Sequence, residues 1–214
     1  MATIFITGGT GYMGRQLIPE LVKSGHSVRA LARRGSESKL PKGCDPVIGD
    51  ALDASTYAVA VPGCATFVHL VGVAHPSPAK GKQFREIDLV SARSAITAAT
   101  QASVEHFVYL SVAHPAPLMK SYIEVRTQGE QMLRESGMNA TILRPWYVLG
   151  PGHRWPYALL PFYWLFRQIP ATRAGAERLG LVTLTQMTQA LLRAVETPAQ
   201  GVRTFDVPAI RHPK

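Results

Sequence analysis

Apolar residues fall along this chain in short β-rich runs separated by stretches with helical spacing. The runs are "TIFIT" (3–7), "SVRALAR" (27–33), "DPVIG" (45–49), "TFVHLVG" (66–72), "HFVYLS" (106–111) and "ATILR" (140–144). Amphipathic helical spacing covers about 11–24, 84–102 and 122–136. Near-continuous apolar strands alternating with helices need cover on both faces, so the pattern predicts an α/β fold built on a doubly wound parallel sheet. Right-handed crossovers give the expected strand order 3-2-1-4-5-6.

After "RPWYVLGPG" the chain turns proline- and aromatic-rich. "LVTLTQMTQALLRAVE" then reads as an amphipathic helix, with Met187, Ala190, Leu191, Ala194 and Val195 on one stripe. "VRTFDVPAI" is expected to close the chain as a last strand. With no repeat, low-complexity tract or linker, residues 151–214 read as an appendage completing one domain whose core is 1–150.

A chain of 214 residues with 46% hydrophobic content is able to bury a real core. Lys plus Arg exceed Asp plus Glu by 23 to 14, a formal charge of +9, which favours anionic partners. The positives are spread without a basic tail or a nucleic-acid motif, so a nucleic-acid partner is not expected. Cys44 and Cys64 are too few for a disulfide framework or a zinc cluster, so no metal is expected and a reducing compartment fits. The opening "MATIFITGGTGY" does not build a signal peptide, which points to the cytoplasm. The longest apolar run, "WPYALLPFYWLF" at 155–166, contains Pro156 and Pro161 and is too short to span a bilayer.

"ITGGTGYMG" places Gly8, Gly11 and Gly14 three apart, after the first strand and at the opening of the first helix. One glycine permits the tight turn, one lets backbone approach a pyrophosphate, and one lets helix and strand pack closely. Gly8, Gly9, Thr10, Gly11, Tyr12, Met13 and Gly14 are therefore the expected contacts of a dinucleotide's phosphates, which the helix N-terminus attracts. At the end of the second strand stands "ALARRGSES", with Arg33 19 residues after Gly14 where a carboxylate would hold the ribose diol of NAD. Arg33 and Arg34 suit a 2′-phosphate, with Ser36 as a further donor, so NADP(H) is expected over NAD(H). The alternative is that these arginines only cap a solvated loop. "VIGDALD" sets Asp50 and Ala51 at a strand's carboxyl end, beside the adenine or simply in a turn. Val71 and Gly72 in "VHLVGVAH" are expected where backbone passes the cofactor ribose, with glycine avoiding a collision there.

"TGGTGYMG", "VRALARR", "VIGDALD", "FVHLVG", "FVYLS", "YIEVRTQGEQML" and "TILRPWYVLGPG", spanning roughly 3–152, resemble the extended and atypical branch of the short-chain dehydrogenase/reductase superfamily, the NAD(P)-binding, epimerase-like proteins on a Rossmann fold. The resemblance implies that Ser111, Tyr122 and Arg126 stand at the positions of that superfamily's serine, tyrosine and lysine. There the tyrosine is the acid/base, the serine steadies the substrate's oxygen, and the lysine binds the nicotinamide ribose and lowers the tyrosine's pKa. Pro145 and Trp146 would lie beside the nicotinamide. Three departures stand out: arginine replaces lysine, Ser111 precedes Tyr122 by only 11 residues, and the substrate lobe shrinks to about 60 residues. These features look more like small flavin-reductase-like, NmrA-like and respiratory complex I subunit-like relatives, some of which bind NADP(H) without evident turnover.

Arginine keeps the positive charge that favours a phenolate and loses lysine's ability to relay a proton. The bland alternative is that Tyr122 and Arg126 only solvate a helix. Glu130 is at i, i+4 from Arg126 and could pair with it; such a pair would weaken activation of Tyr122. His114 is a stand-in acid/base or a solvated loop histidine. The aromatic stretch 155–166, flanked by Arg154, Arg167 and Arg173, reads as a lid over an apolar pocket, a protein or membrane-surface contact, or a core element. The expectation is an NADP(H)-dependent oxidoreductase acting on a small, apolar carbonyl or hydroxyl compound. The alternatives are a non-catalytic NADP(H) sensor or assembly module, and a sugar epimerase/dehydratase-like enzyme.

Overall fold

The computed structural model describes residues 1–151, 175 and 178–212. Strands β1 (Thr3–Thr7), β2 (Ser27–Ala32), β3 (Asp45–Ile48) and β4 (Thr66–His69) are followed by β5 (His106–Leu110), β6 (Asn139–Arg144) and, near the end, β9 (Val202–Asp206). They form one parallel sheet in the order β3-β2-β1-β4-β5-β6-β9. This is the doubly wound order read from the sequence, extended by one strand at the β6 edge. A separate parallel pair joins β7 (Tyr147–Leu149) to β8 (Leu181–Thr183).

Alternation along the strands sends side chains to two cores. On one face Ile4, Ile6, Val68 and Val108 pack with Leu17, Ile18 and Leu21 of α1 (Gly14–Lys23) and with the stripe Met187, Ala190, Leu191, Ala194 and Val195, all buried. That stripe belongs to α5 (Leu184–Glu196), which starts at a reciprocal capping box between Thr183 and Gln186. On the other face Phe5, Phe67 and Phe107 are in register across β1, β4 and β5, with ring centroids 5.0 and 5.2 Å apart. Small residues Ala92, Ala95, Ala98 and Ala99 of α3 (Val90–Gln101) allow that helix to lie close over the rings.

Some expected boundaries shift. The strand at "TFVHLVG" ends at His69, and the helix expected from 84 opens with a π turn over Phe84–Leu89, preceded by the short α2 (Gly81–Gln83). The helix carrying Tyr122, α4, runs Lys120–Glu135. "VRTFDVPAI" is strand only to Asp206. Pro208, with its fixed φ and missing N–H, opens the short helix α6 (Val207–Arg211) instead. The aromatic stretch 155–166 and the arginines beside it lie outside the described residues. Among the described residues no helix is long and apolar enough to cross a membrane.

Candidate active site

The carboxyl ends of β1, β4, β5 and β6 point the same way, and the loops after them carry most of the predicted site. Gly8 has φ +81°, and a Cβ there would lie 2.8 Å from the backbone carbon of Leu70 and 3.0 Å from the nitrogen of Val71. A Cβ on Gly14 would meet the Gly8 oxygen at 2.5 Å and the Gly9 Cα at 2.6 Å. The loop is drawn this tight by its own backbone, with the Gly11 N–H donating to the Gly8 oxygen at 3.0 Å. Helix α1 begins behind it with Met13 as N-cap and no side chain capping its amides. An uncapped helix start behind a glycine-walled turn fits the diphosphate of a dinucleotide.

Arg33 and Arg34 are exposed at the end of β2, in a turn closed by the Ser36 N–H donating to the Arg33 oxygen at 2.8 Å and permitted by Gly35 at φ +80°. Asp50 is partly used by its own turn: Oδ1 accepts from the Leu52 N–H at 3.0 Å, and the Asp50 N–H donates to Thr56 Oγ1 at 2.9 Å. Ala51 packs half-buried against the aromatic core.

Arg126 is buried, 3% exposed, and faces inward. Its Nη1 donates to the Leu110 oxygen at 2.8 Å, while Nη2 donates to Asp88 Oδ1 at 2.7 Å and to the Val71 oxygen at 3.2 Å. One side chain from α4 therefore ties together the ends of β4 and β5 and the π turn that carries Asp88. The second Asp88 oxygen accepts from the Val73 N–H at 3.1 Å. Burial raises the Asp88 carboxyl above its ordinary value, with Arg126 and the Val73 N–H opposing it. Below this pair, Ser91 Oγ stands 3.4 Å from His69 Nε2 and Thr7 Oγ1 stands 2.8 Å from His69 Nδ1. Burial, reinforced by Arg126, pushes His69 down to about 3, so this ring is neutral.

Gly72 lies against the same ion pair. A Cβ there would collide with Nη2 of Arg126 and stand 3.2 Å from Asp88 Oδ1, so the glycine makes room for the buried ion pair. The Val71 carbonyl is likewise held by Arg126.

Tyr122 is half-buried on the first turns of α4. Its ring lies 4.9 Å from that of Phe84, and the Arg126 guanidinium carbon is 5.3 Å from its centroid, within cation–π range. The tyrosine and the cation share a helical face as their spacing implied.

Glu130 does not pair with Arg126. Its fully buried carboxylate accepts from Arg144 Nε at 2.8 Å and from Arg144 Nη2, and from both terminal nitrogens of Arg134 at 3.2 Å. Arg126 is drawn to the carbonyls at the strand ends, and Arg144 at the end of β6 reaches Glu130 from the other side. Ser111, 3% exposed, donates its hydroxyl to Glu130 Oε1 at 2.6 Å, and His114 Nε2 lies 3.5 Å from the same oxygen. Burial alone would raise Glu130, but Arg144 and Ser111 hold it below the ordinary carboxylate range. Pro145 is buried beside this cluster, its oxygen accepting from the Ala113 N–H at 2.9 Å, and Trp146 is half-buried next to it.

Sequence reasoning missed Asp88, His69 and Arg144. Asp88 carried a signal: it sits four residues before Ala92, on the stripe that continues through Ala95 and Ala99, an acid on an otherwise apolar face.

Residues 8–154 match the family model described as NAD(P)H-binding, and the chain belongs to this family, within the extended, epimerase-like branch of the short-chain dehydrogenase/reductase superfamily. It is similar to the ceramide reductase of Caulobacter vibrioides, 25% identical over 201 residues, covering 93% of this chain and 62% of that protein. It is also similar to the 4-hydroxy-2-methyl-3-oxo-4-farnesyl-3,4-dihydroquinoline-1-oxide ketoreductase of Stigmatella aurantiaca, 27% identical over 68% of this chain and 50% of that one. Photosystem II assembly factor Ycf39 of Cyanophora paradoxa is 27% identical over 66% of this chain and 44% of its own length. The chain thus spans about half to three fifths of the first two relatives and less of the third. Among solved structures, the Bordetella bronchiseptica enzyme WbmH in complex with NAD+ superimposes over 96% of this chain and 76% of its own, with a TM-score of 0.71 at 21% identity. That likeness is one of fold.

Proposed function

We propose that this protein is an NADP(H)-dependent reductase of an apolar carbonyl compound, with Tyr122 as the proton donor to the substrate's oxygen. The observation that carries the reading is the setting of Tyr122: a half-buried phenol tilted at 52° against the Phe84 ring, with a buried cation 5.3 Å from its centroid that also holds the carbonyl of Val71, whose nitrogen lies against Gly8. Bound there, NADPH supplies a hydride to the carbonyl carbon. The chain's own part is to hold the diphosphate at the start of α1, to meet the 2′-phosphate with Arg33 and Arg34, and to deliver a proton from Tyr122. Arg126 acts as a fixed positive charge whose Nη2 is committed to Asp88 and Val71, so ribose binding falls to other groups.

An apolar substrate is supported by the loop between Ser111 and Tyr122, which carries Pro115, Ala116, Pro117 and a 66% exposed Leu118. The names of two relatives, a ceramide reductase and a ketoreductase of a farnesylated ring, point to the same class. A second reading, an NADP(H)-binding assembly or sensor module, draws on the commitment of Ser111 and Arg126 to protein partners and on the likeness to Ycf39. Two measurements test the proposal together. NADPH is expected to bind at least tenfold more tightly than NADH, with Arg33→Ala removing the difference. Rapid-mixing oxidation of bound NADPH by apolar ketones is expected in the wild type. Equal affinities would sink the NADP(H) preference, and no oxidation by any ketone would favour the binding module.

A further inference from the structure

Tyr12 belongs to the glycine turn, but its side chain ends far along the sequence, against Gly150, the residue that follows β7. A Cβ on Gly150 would collide with the Tyr12 hydroxyl and stand 3.3 Å from its Cζ and 3.2 Å from Cβ of Leu184. Gly150 is not among the glycines with positive φ, so its missing side chain serves to admit the phenol and not to allow a turn. Leu184 opens α5 directly after Thr183, the last residue of β8. One side chain thus reaches from the start of α1 to the place where β7, β8 and α5 meet.

The turn itself is held by little else. Met13, the N-cap of α1, makes no side-chain capping bond, and the first turn of the helix carries no acidic residue. Gly8, Gly9, Gly11 and Gly14 bring no side chains to anchor it. The Gly11 N–H on the Gly8 oxygen, at 3.0 Å, and the Arg15 N–H on the Gly11 oxygen, at 3.1 Å, are both internal to the turn and its helix. An anion site made of backbone N–H groups binds tightly only when the backbone is fixed beforehand, because ordering it on binding subtracts from the affinity.

We infer that Tyr12 is a positioning residue for the dinucleotide's diphosphate: its phenol, seated on Gly150 next to Leu184, braces the start of α1 against the β7–β8 pair. The C-terminal appendage then does more than complete the fold, since it fixes the cofactor's turn from outside. The inference rests on dinucleotide binding at that turn and is independent of the choice of NADP(H), of the substrate and of the reaction.

The test uses the full chain, titrated calorimetrically with NADP+ and with NAD+, and the 31P NMR spectrum of each saturated complex. Gly150→Ala, whose methyl expels the phenol, is expected to weaken both dinucleotides about fivefold or more. The diphosphate signals of the bound cofactor are expected to move towards their free positions, while the 2′-phosphate signal of bound NADP+ stays in place. In a Tyr12→Phe background, which removes the atom that the methyl meets, the same substitution is expected to cost less than about twofold. Tyr12→Leu guards against misfolding of the glycine variant, because Tyr12 is half-buried and belongs to neither core; it is expected to show the fivefold loss by itself. Affinities of Tyr12→Leu within twofold of wild type overturn the inference. So does a Gly150→Ala loss unaltered by Tyr12→Phe, or a 2′-phosphate signal that moves along with the diphosphate. A wild type that binds NAD+ and not NADP+ removes only the 2′-phosphate reading, and the affinities and diphosphate signals with NAD+ then decide.

Discussion

Replacing Gly72 by alanine separates two accounts of that position. The new Cβ would collide with Nη2 of Arg126, and Gly72 is not among the residues with positive φ, so the penalty is steric contact alone. The guanidinium cannot retreat without leaving Asp88, whose side chain is fully buried and whose partner it is at 2.7 Å. Breaking a buried ion pair by displacing one partner costs about 3–5 kcal/mol. For a chain of this size each kcal/mol lowers the midpoint by about 2–4 °C, so Gly72→Ala is expected to lose roughly 6–20 °C. The assay is thermal unfolding of the protein without cofactor, run as a double-mutant cycle with Arg126→Met. That second variant strands Asp88 and removes the obstacle, so adding Gly72→Ala to it is expected to cost under about 1 kcal/mol, a coupling of at least ~2 kcal/mol. If Gly72 instead makes room for cofactor, the cofactor-free midpoint stays put and only NADPH affinity falls. That result would refute the reasoning.

Three further outcomes follow from the buried polar groups. His69 and His106 are pushed down to about 3 and about 4, each first by burial and then by a nearby arginine, so both are neutral in the folded chain. Their folded values lie below the unfolded one, so stability is full above pH ~6.5 and falls as pH drops towards 4, by about 1.4 kcal/mol per pH unit for each; urea unfolding at pH 7 and pH 5 measures it, and equal stabilities would contradict it. Ser111→Ala removes a hydrogen bond to a buried carboxylate and is expected to lose about 1.5–3 kcal/mol in the same unfolding assay. Gly129→Ala sets a Cβ against the Tyr109 hydroxyl, with Cζ at 2.9 Å, so it is expected to cost about 1–3 kcal/mol, relieved only in part in a Tyr109→Phe background, which keeps Cζ, and fully in Tyr109→Val.

Much of this was legible in the sequence because it rests on local pattern. The apolar runs marked the strands of the main sheet, and the three glycines with the helix behind them marked a tight turn between β1 and α1, whose tightness is visible in the contacts at Gly8 and Gly14. The pairs Arg126–Asp88 and Arg144–Glu130 were not legible, because their partners lie on different elements, although Arg134 does pair with Glu130 at i, i+4. Arg126 meets Asp88 across 38 positions, and Glu130 on α4 meets Arg144 at the end of β6, so the i, i+4 contact between Arg126 and Glu130 gave way to other partners for both. Local spacing placed Tyr122 and Arg126 on one face correctly. It did not tell that Arg126 turns its fork towards the strand ends, or that Ser111 donates its hydroxyl to a buried Glu130.

The central claim is that the crevice transfers hydride with Tyr122 supplying the proton. It is tested most directly by incubating the protein with trans-1-decalone and NADPH carrying deuterium at C4, then weighing the alcohol. The wild type is expected to give decalol heavier by one deuterium, and Tyr122→Phe to bind NADPH equally well while forming at least about 10²-fold less labelled alcohol. Labelled alcohol formed by Tyr122→Phe at the wild-type rate would contradict the mechanism, and bound NADPH that never yields labelled alcohol in the wild type would contradict the function.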